Sequence, residues 1–250
     1  MKRPRKFRSS SGKRHHLKPR FSRELAILYE DDAVVAVNKS AGLLAVPVPG
    51  SDAPSALSPL SHALEPRAQR ALVVHRIDRF ASGVLLFAKT MRDRDALVRQ
   101  FLAHIPVRQY LAVVRGHPNS KEGVLVHYFR KQGMHQQLST ERDRKAARAE
   151  LRYSVERTLR AASLVRIALV TGLQNQIRAQ LSAFGHVVIG DRKYSAEEAT
   201  ERRIARVALH AARLEFVHPR SGEMVSIDCD PPADFCSLVR ALSQPLRGHH

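Results

Sequence analysis

Two short apolar runs, Ala71-Leu72-Val73-Val74 and Val84-Leu85-Leu86-Phe87-Ala88, enclose the polar segment His75-Arg76-Ile77-Asp78-Arg79-Phe80-Ala81-Ser82-Gly83. Apolar runs this short, bounded by turn residues, read as buried strands. Gly83 accepts a positive φ, so the chain can reverse there into the second strand. Asp78 then sits in the connecting loop between Arg76 and Arg79. An opposite charge close by favours the ionised carboxylate, which predicts an anionic Asp78 at neutral pH. Taken alone, such a group is either one half of a surface ion pair beside a hairpin or a reactive carboxylate in a site.

At 250 residues the chain is long enough for one large domain, or one domain with an appendage, and its 44% hydrophobic content supplies an ordinary core. Charge is the unusual property: 42 Lys and Arg stand against 23 Asp and Glu, for a net +19. The first 23 residues hold ten of the basic residues and no acid, and setting them aside still leaves 32 against 23. A body that is basic in its own right points to a polyanionic partner, most simply a nucleic acid. Cys229 and Cys236 are too few for a disulfide framework and read as reduced thiols. No apolar run approaches the roughly 20 residues that span a bilayer, and Met1 to Arg23 lacks the apolar core of a secretory signal. These readings exclude a membrane partner and predict a cytoplasmic setting. The histidines lack the paired Cys or carboxylate spacing of a metal site, and no phosphate-cradling Gly-rich loop appears.

Along the chain, residues 1–23 read as a disordered basic arm, residues 24–240 as one folded domain and residues 241–250 as a flexible tail. The arm is either a solvated tail or an RNA-grasping segment. Ala33 to Val37 is a β-branched run typical of a buried strand, and Leu43 to Pro47 reads as its hairpin partner across Asn38-Lys39-Ser40-Ala41-Gly42. Pro49 to Arg70 predicts a loop with one short helix. Apolar residues at helical spacing place a helix over Asp93 to His104, with Pro106 beyond its end. Val107 to Gly116 is a strand whose alternation sends Tyr110 to the face opposite Leu111. His117 to Glu150 is polar and reads as a solvated loop or hairpin, or as an RNA-facing surface. Leu151 to Ser154 and Ser163 to Val170 read as strands. Ile177, Leu181 and Phe184 share one face of a further helix that stops at Gly185. Arg178 lies about 100° round from Ile177, beside the buried stripe, where an arginine ordinarily snorkels to water.

The loop around Asp78 resembles the signature of the RluA-type pseudouridine synthases: His-Arg-Leu-Asp, two residues, then Thr-Ser-Gly, with the aspartate catalytic. Here Ile77 stands for the leucine and Ala81 for the threonine. Five further stretches resemble the family in the right order. Asn38-Lys39-Ser40-Ala41-Gly42-Leu43 is similar to its first motif, with Ser40 for proline. Arg108-Gln109-Tyr110 matches its Lys-x-Tyr strand. Thr171-Gly172-Leu173-Gln174-Asn175-Gln176-Ile177-Arg178 is similar to its Thr-Gly-Arg-x-His-Gln-Ile-Arg, with Leu173 for the first arginine and Asn175 for the histidine. His186 to Asp191 resembles the segment that follows in the family, and Asp230 to Phe235 its usual close. The likeness spans about Ile27 to Leu238.

The resemblance implies an α/β (α+β) fold: a single catalytic domain with a central mixed, mainly antiparallel sheet, flanking helices and a long cleft. It also implies an RNA uridine isomerase acting on rRNA or tRNA as a monomer, with neither cofactor nor metal. Asp78 would be the nucleophile and Arg178 its partner. Tyr110 would stack on the uracil and serve as a base. His75, Arg76, Asn175 and Ile177 would complete the substrate site. The replacements at Leu173 and Asn175 keep open a second possibility, an inactive RNA-binding or ribosome-assembly factor on the same scaffold. A nucleoside hydrolase is a third.

Overall fold

Asp31 makes the first turn. Its Oδ1 accepts the backbone N–H groups of Ala33 and Val34, both at 2.8 Å, and this Asx turn joins β1 (Ala26–Glu30) to β2 (Val34–Lys39). The β-branched run therefore pairs with the segment before it rather than the one after. Leu43 to Pro47, expected as the hairpin partner, forms no strand; Leu44 makes only an isolated bridge to Ser55. The reason is that both edges of β2 are already taken, by β1 and by the strand at Ser82–Ala88. The carbonyls of Leu44 and Ala45 instead accept backbone N–H groups of Ala56 and Leu57, at the start of α1 (Leu57–Leu64).

The computed structural model describes residues 25–133, 135–195 and 204–243. The basic arm lies outside them, as does the tail beyond Ser243. After α1 come β3 (Leu72–Val73), β4 (Ser82–Ala88), α2 (Met91–Leu102) and β5 (Val107–Arg115). The stretch expected to be polar loop or hairpin holds β6 (Glu122–Gln132) and β7 (His135–Ser139), and leads into β8 (Ala147–Leu159). β9 (Ala162–Leu169) and α3 (Gln176–Ala183) follow, then β10 (Leu209–Val217), β11 (Met224–Asp228) and α4 (Ala233–Ser243). The last helix enters the stretch read as a tail. The strands form one sheet in the order β1-β2-β4-β10-β5-β9-β8-β6-β7, with β3 on β4 and β11 on β10. The β4–β10 pair is parallel and the other pairs are antiparallel. This is the mixed, mainly antiparallel α+β architecture that the family resemblance implied.

Alternation along β2 and β4 feeds both faces of the sheet. Val35, Val37, Leu85 and Phe87 pack with Leu60 and Leu64 of α1, whereas Val34, Ala36, Val84 and Leu86 pack with Leu97 of α2. A third and larger core joins β5, β8 and β9 to Ile177 and Leu181 of α3 and to Phe235 and Leu238 of α4.

β4 positions the site through its second edge. At one end that edge pairs with β3, through Leu72 and Val73; at the other it pairs with β10 through only two residues, Ser82 and Gly83. Between them the chain from Val74 to Ala81 leaves the sheet. The His75 ring takes the place of a strand there, its Nε2 accepting the Leu86 N–H at 3.1 Å. Gly83 is not the reversal point expected from the sequence. It lies inside β4 with φ +113°, and a Cβ there would sit 2.1 Å from the Ala211 carbonyl oxygen. Only glycine lets β4 and β10 approach so closely.

Candidate active site

The gap between β3 and β10 opens into a cavity of about 1560 Å³ lined by the Asp78 loop, Tyr110 of β5, the segment from Thr171 to Arg178 and the turn after Gly190. Arg178 comes from the first turn of α3, a hundred residues along the chain, and its Nη1 donates to Asp78 Oδ2 at 3.4 Å. The same nitrogen donates to Asn175 Oδ1 at 3.0 Å. Arg178 Nε and Nη2 form a fork on Asp191, each at 2.7 Å. The Asp191 side chain is fully buried, and its Oδ1 also accepts the backbone N–H groups of Lys193 and Tyr194. The Tyr194 ring lies 5.4 Å from the guanidinium carbon. Fork geometry of this kind fixes direction as well as charge. Arg178 is therefore a buried cation aimed at Asp78, not the solvent-seeking arginine that its place beside the helix stripe first implied.

The electrostatics of Asp78 also differ from the expectation. Its side chain is 20% exposed, toward the cavity. Burial pushes the carboxyl above the usual carboxylate range, and Asp191 adds to that; the Arg178 and Lys39 charges pull the other way. The positive charges acting on Asp78 thus come from Arg178 and Lys39, and Lys193 on the cavity wall couples to it as well. Arg76 is exposed and lines the cavity. Arg79 is also exposed, and its Nε donates to the Gly42 carbonyl at 3.0 Å.

Lys39 and Asp191 are the two residues that sequence reasoning did not name. Lys39 ends β2 fully buried, and its ammonium donates to the carbonyls of Ser40, Leu43, Arg79 and Ala81 at 2.7–3.2 Å. It ties the loop after β2 to the loop carrying Asp78. Burial pushes its pKa down to about 7, against the pull of Asp78. The Asn-Lys-Ser-Ala-Gly and Gly-Asp motifs held these two residues, and both were noted there only as parts of a pattern.

The other predicted site residues divide. Tyr110 is buried on the cavity wall, and burial pushes its phenol up to about 12. Ile177 is buried in the main core and lines the cavity. His75 is stacked on Phe101 with centroids 4.5 Å apart, and burial pushes it down to about 3. It is a neutral acceptor that completes the β4 edge. Asn175 sits in the left-handed region (φ +55°), as the cap of α3, and turns its side chain to Arg178. Leu173 packs with the cluster of Phe129, Ala149 and Ala179. The sequence departures thus leave one polar partner of Arg178 and one apolar contact. Among the described residues no group of three or more His, Cys, Asp or Glu side chains is placed to hold a metal.

Comparison with known proteins gives a consistent result. The model of a family described as "RNA pseudouridylate synthase" matches residues 33–183. "Ribosomal large subunit pseudouridine synthase D" of Zymomonas mobilis is 34% identical over 230 residues, covering 87% of this chain and 73% of the relative. "Dual-specificity RNA pseudouridine synthase RluA" of Escherichia coli K12 is 33% identical over 221 residues, covering 84% of this chain and 94% of the relative. Among solved structures, "Human RNA Pseudouridylate Synthase Domain Containing 4" superposes with a TM-score of 0.72 at 23% identity, covering 87% of this chain and 92% of that one, which supports the fold.

Proposed function

Because this chain belongs to the RNA pseudouridylate synthase family, we propose that it isomerises specific uridines of ribosomal or transfer RNA with Asp78 as the nucleophile. The observation that carries this reading is the Asp78–Arg178 pair on the wall of the cavity, with Arg178 braced from behind by buried Asp191. The reaction breaks the bond from C1′ to N1, turns the uracil and joins C1′ to C5. One proton leaves C5 and one is taken up at N1, so nothing is oxidised and no group is imported. A carboxylate with these surroundings can attack the sugar or the base and later leave again. Arg178 keeps Asp78 available as an anion against the cost of burial. Tyr110 stacks on the uracil. A phenol held near 12 is a poor base at neutral pH, so stacking is the role assigned to it here. Arg76 meets phosphate or takes the space of the displaced base. Extruding the target costs a few kcal/mol, offset by basic contacts along the backbone.

The RNA partner is supported by the net charge of +19 and by the names of the relatives. Among the described residues no helix is long and apolar enough to cross a membrane; the enzyme proposed is a cytoplasmic monomer that works without a cofactor. The test is release of tritium from RNA labelled at uridine C5. Wild type is expected to release it, and Asp78→Asn to lose release by several orders of magnitude while still binding RNA. Normal release by that variant removes Asp78 from the mechanism. A wild-type protein that binds RNA but releases no tritium is the inactive assembly factor instead.

A further inference from the structure

The loop that carries Asp78 buries Ile77 and Ala81 and leaves Arg76, Arg79 and Phe80 exposed. Phe80 keeps 39% of its surface open and lines the cavity two residues from Asp78. A lone exposed phenylalanine is ordinary, but this ring is held in place. The Arg79 guanidinium carbon lies 5.2 Å from the ring centroid. Arg79 is tied in turn to Gly42 by two hydrogen bonds, Nε to the Gly42 carbonyl at 3.0 Å and the Gly42 N–H to its own carbonyl at 2.8 Å. Phe80 therefore presents a partly exposed aromatic ring to the same cavity that Asp78 lines. Val48, 44% exposed, lines the same cavity. Its volume, about 1560 Å³, exceeds the roughly 300–1,000 Å³ of ordinary small-molecule pockets, so the cleft has room beyond a single nucleoside.

We propose that Phe80 is the stacking platform for the base of a nucleotide adjoining the target uridine, which makes the cleft a two-base site. The inference rests on the RNA-uridine reading above and adds a second subsite to it. Every base has a π-face, so an aromatic platform contributes affinity without demanding a particular neighbour. A guanidinium against the ring adds a cation–π contact that holds the ring while the base arrives. Stacking the neighbour outside the helix also lowers the cost of keeping the target extruded. The Phe80 subsite thus acts on substrate binding, and Asp78 acts on the bond.

The chain contains no tryptophan, so Phe80→Trp introduces a single indole as reporter. Its fluorescence is followed against two end-labelled strands, pentauridylate and a strand of the same length with one central uridine flanked by abasic residues. Anisotropy of the label records binding of each. Quenching by pentauridylate and little quenching by the lone-uridine strand at equal occupancy is the expected result. Equal quenching by both strands would place the ring on the target base itself, and silence despite binding, or no binding by either strand, would remove the subsite. Kinetics provide the second readout: Phe80→Leu and Phe80→Ala should raise KM for labelled RNA roughly tenfold with kcat unchanged, and Phe80→Tyr should retain wild-type values. A loss confined to kcat, or the same loss in Phe80→Tyr, overturns the proposal. Wild-type tritium release is measured in parallel. If wild type releases tritium and the indole stays silent, the two-base inference alone fails; if wild type releases none, the functional reading fails with it.

Discussion

Asp78 experiences two opposed influences, and its titration records the balance between them. Burial raises its pKa above 3.8, and the Arg178 charge and hydrogen bond lower it. If the ionised form is the reactive one, the acid limb of the rate profile lies above the pH at which a free aspartate titrates. Arg178→Met removes the largest lowering influence, so the limb is expected to move to higher pH and the rate at neutral pH to fall; kcat/KM measured across pH checks this. The same shift carries a stability consequence. A carboxyl whose folded pKa is raised favours the folded state while protonated, and that contribution is lost as pH rises through the folded value. Asp78→Asn should therefore unfold at a temperature no lower than wild type near pH 7 while being inactive, and thermal melts at pH 7 test it. Asp191 shows what a residue-level reading misses: its partner is 13 positions away, and nothing in its immediate neighbours in sequence announces a buried fork.

Between elements, the Asp78 loop is held where it re-enters β4. Gly83 admits β10 to the edge of β4, and a Cβ there would collide with the Ala211 backbone. Since φ is +113° as well, Gly83→Ala is expected to cost about 3 kcal/mol or more, read from denaturant unfolding. Just upstream of that point, Lys39 gathers carbonyls from the loop after β2 and those of Arg79 and Ala81 in the Asp78 loop. Lys39→Met removes one donor from each of those carbonyls, of which the Arg79 carbonyl keeps the Gly42 N–H, and should cost at least ~2 kcal/mol. Because it holds the loop rather than the RNA, kcat should fall with little change in RNA affinity, which single-turnover rates and binding isotherms separate. The sequence identified β4, β5, β9 and α3 by periodicity and misassigned the partner of β2. Periodicity reports that a strand is buried and is silent about which neighbour covers it.

On the scale of the whole molecule, the +19 charge predicts binding that weakens steeply with salt. With several phosphates engaged at about −0.7 each for a single strand, the slope of log K against log salt should be about −3 or steeper; titrations at several salt concentrations measure it, and a flat dependence would argue against a backbone-tracking cleft. Composition and local periods by themselves indicated a strand-rich chain and a polyanionic partner, and the order of the motifs, through the family resemblance it carries, implied the fold class and singled out Asp78, Tyr110 and Arg178 as candidate site residues, because residue types and short spacings are local properties of the chain. Only the tertiary structure decided that Arg178 is braced by Asp191, that buried Lys39 ties down the Asp78 loop through the Arg79 and Ala81 carbonyls, and that His75 serves the sheet edge. These are relations between residues from 11 to about 40 positions apart, and they exist only once β4 and β10 have met at Gly83 and left the cleft open between β3 and β10.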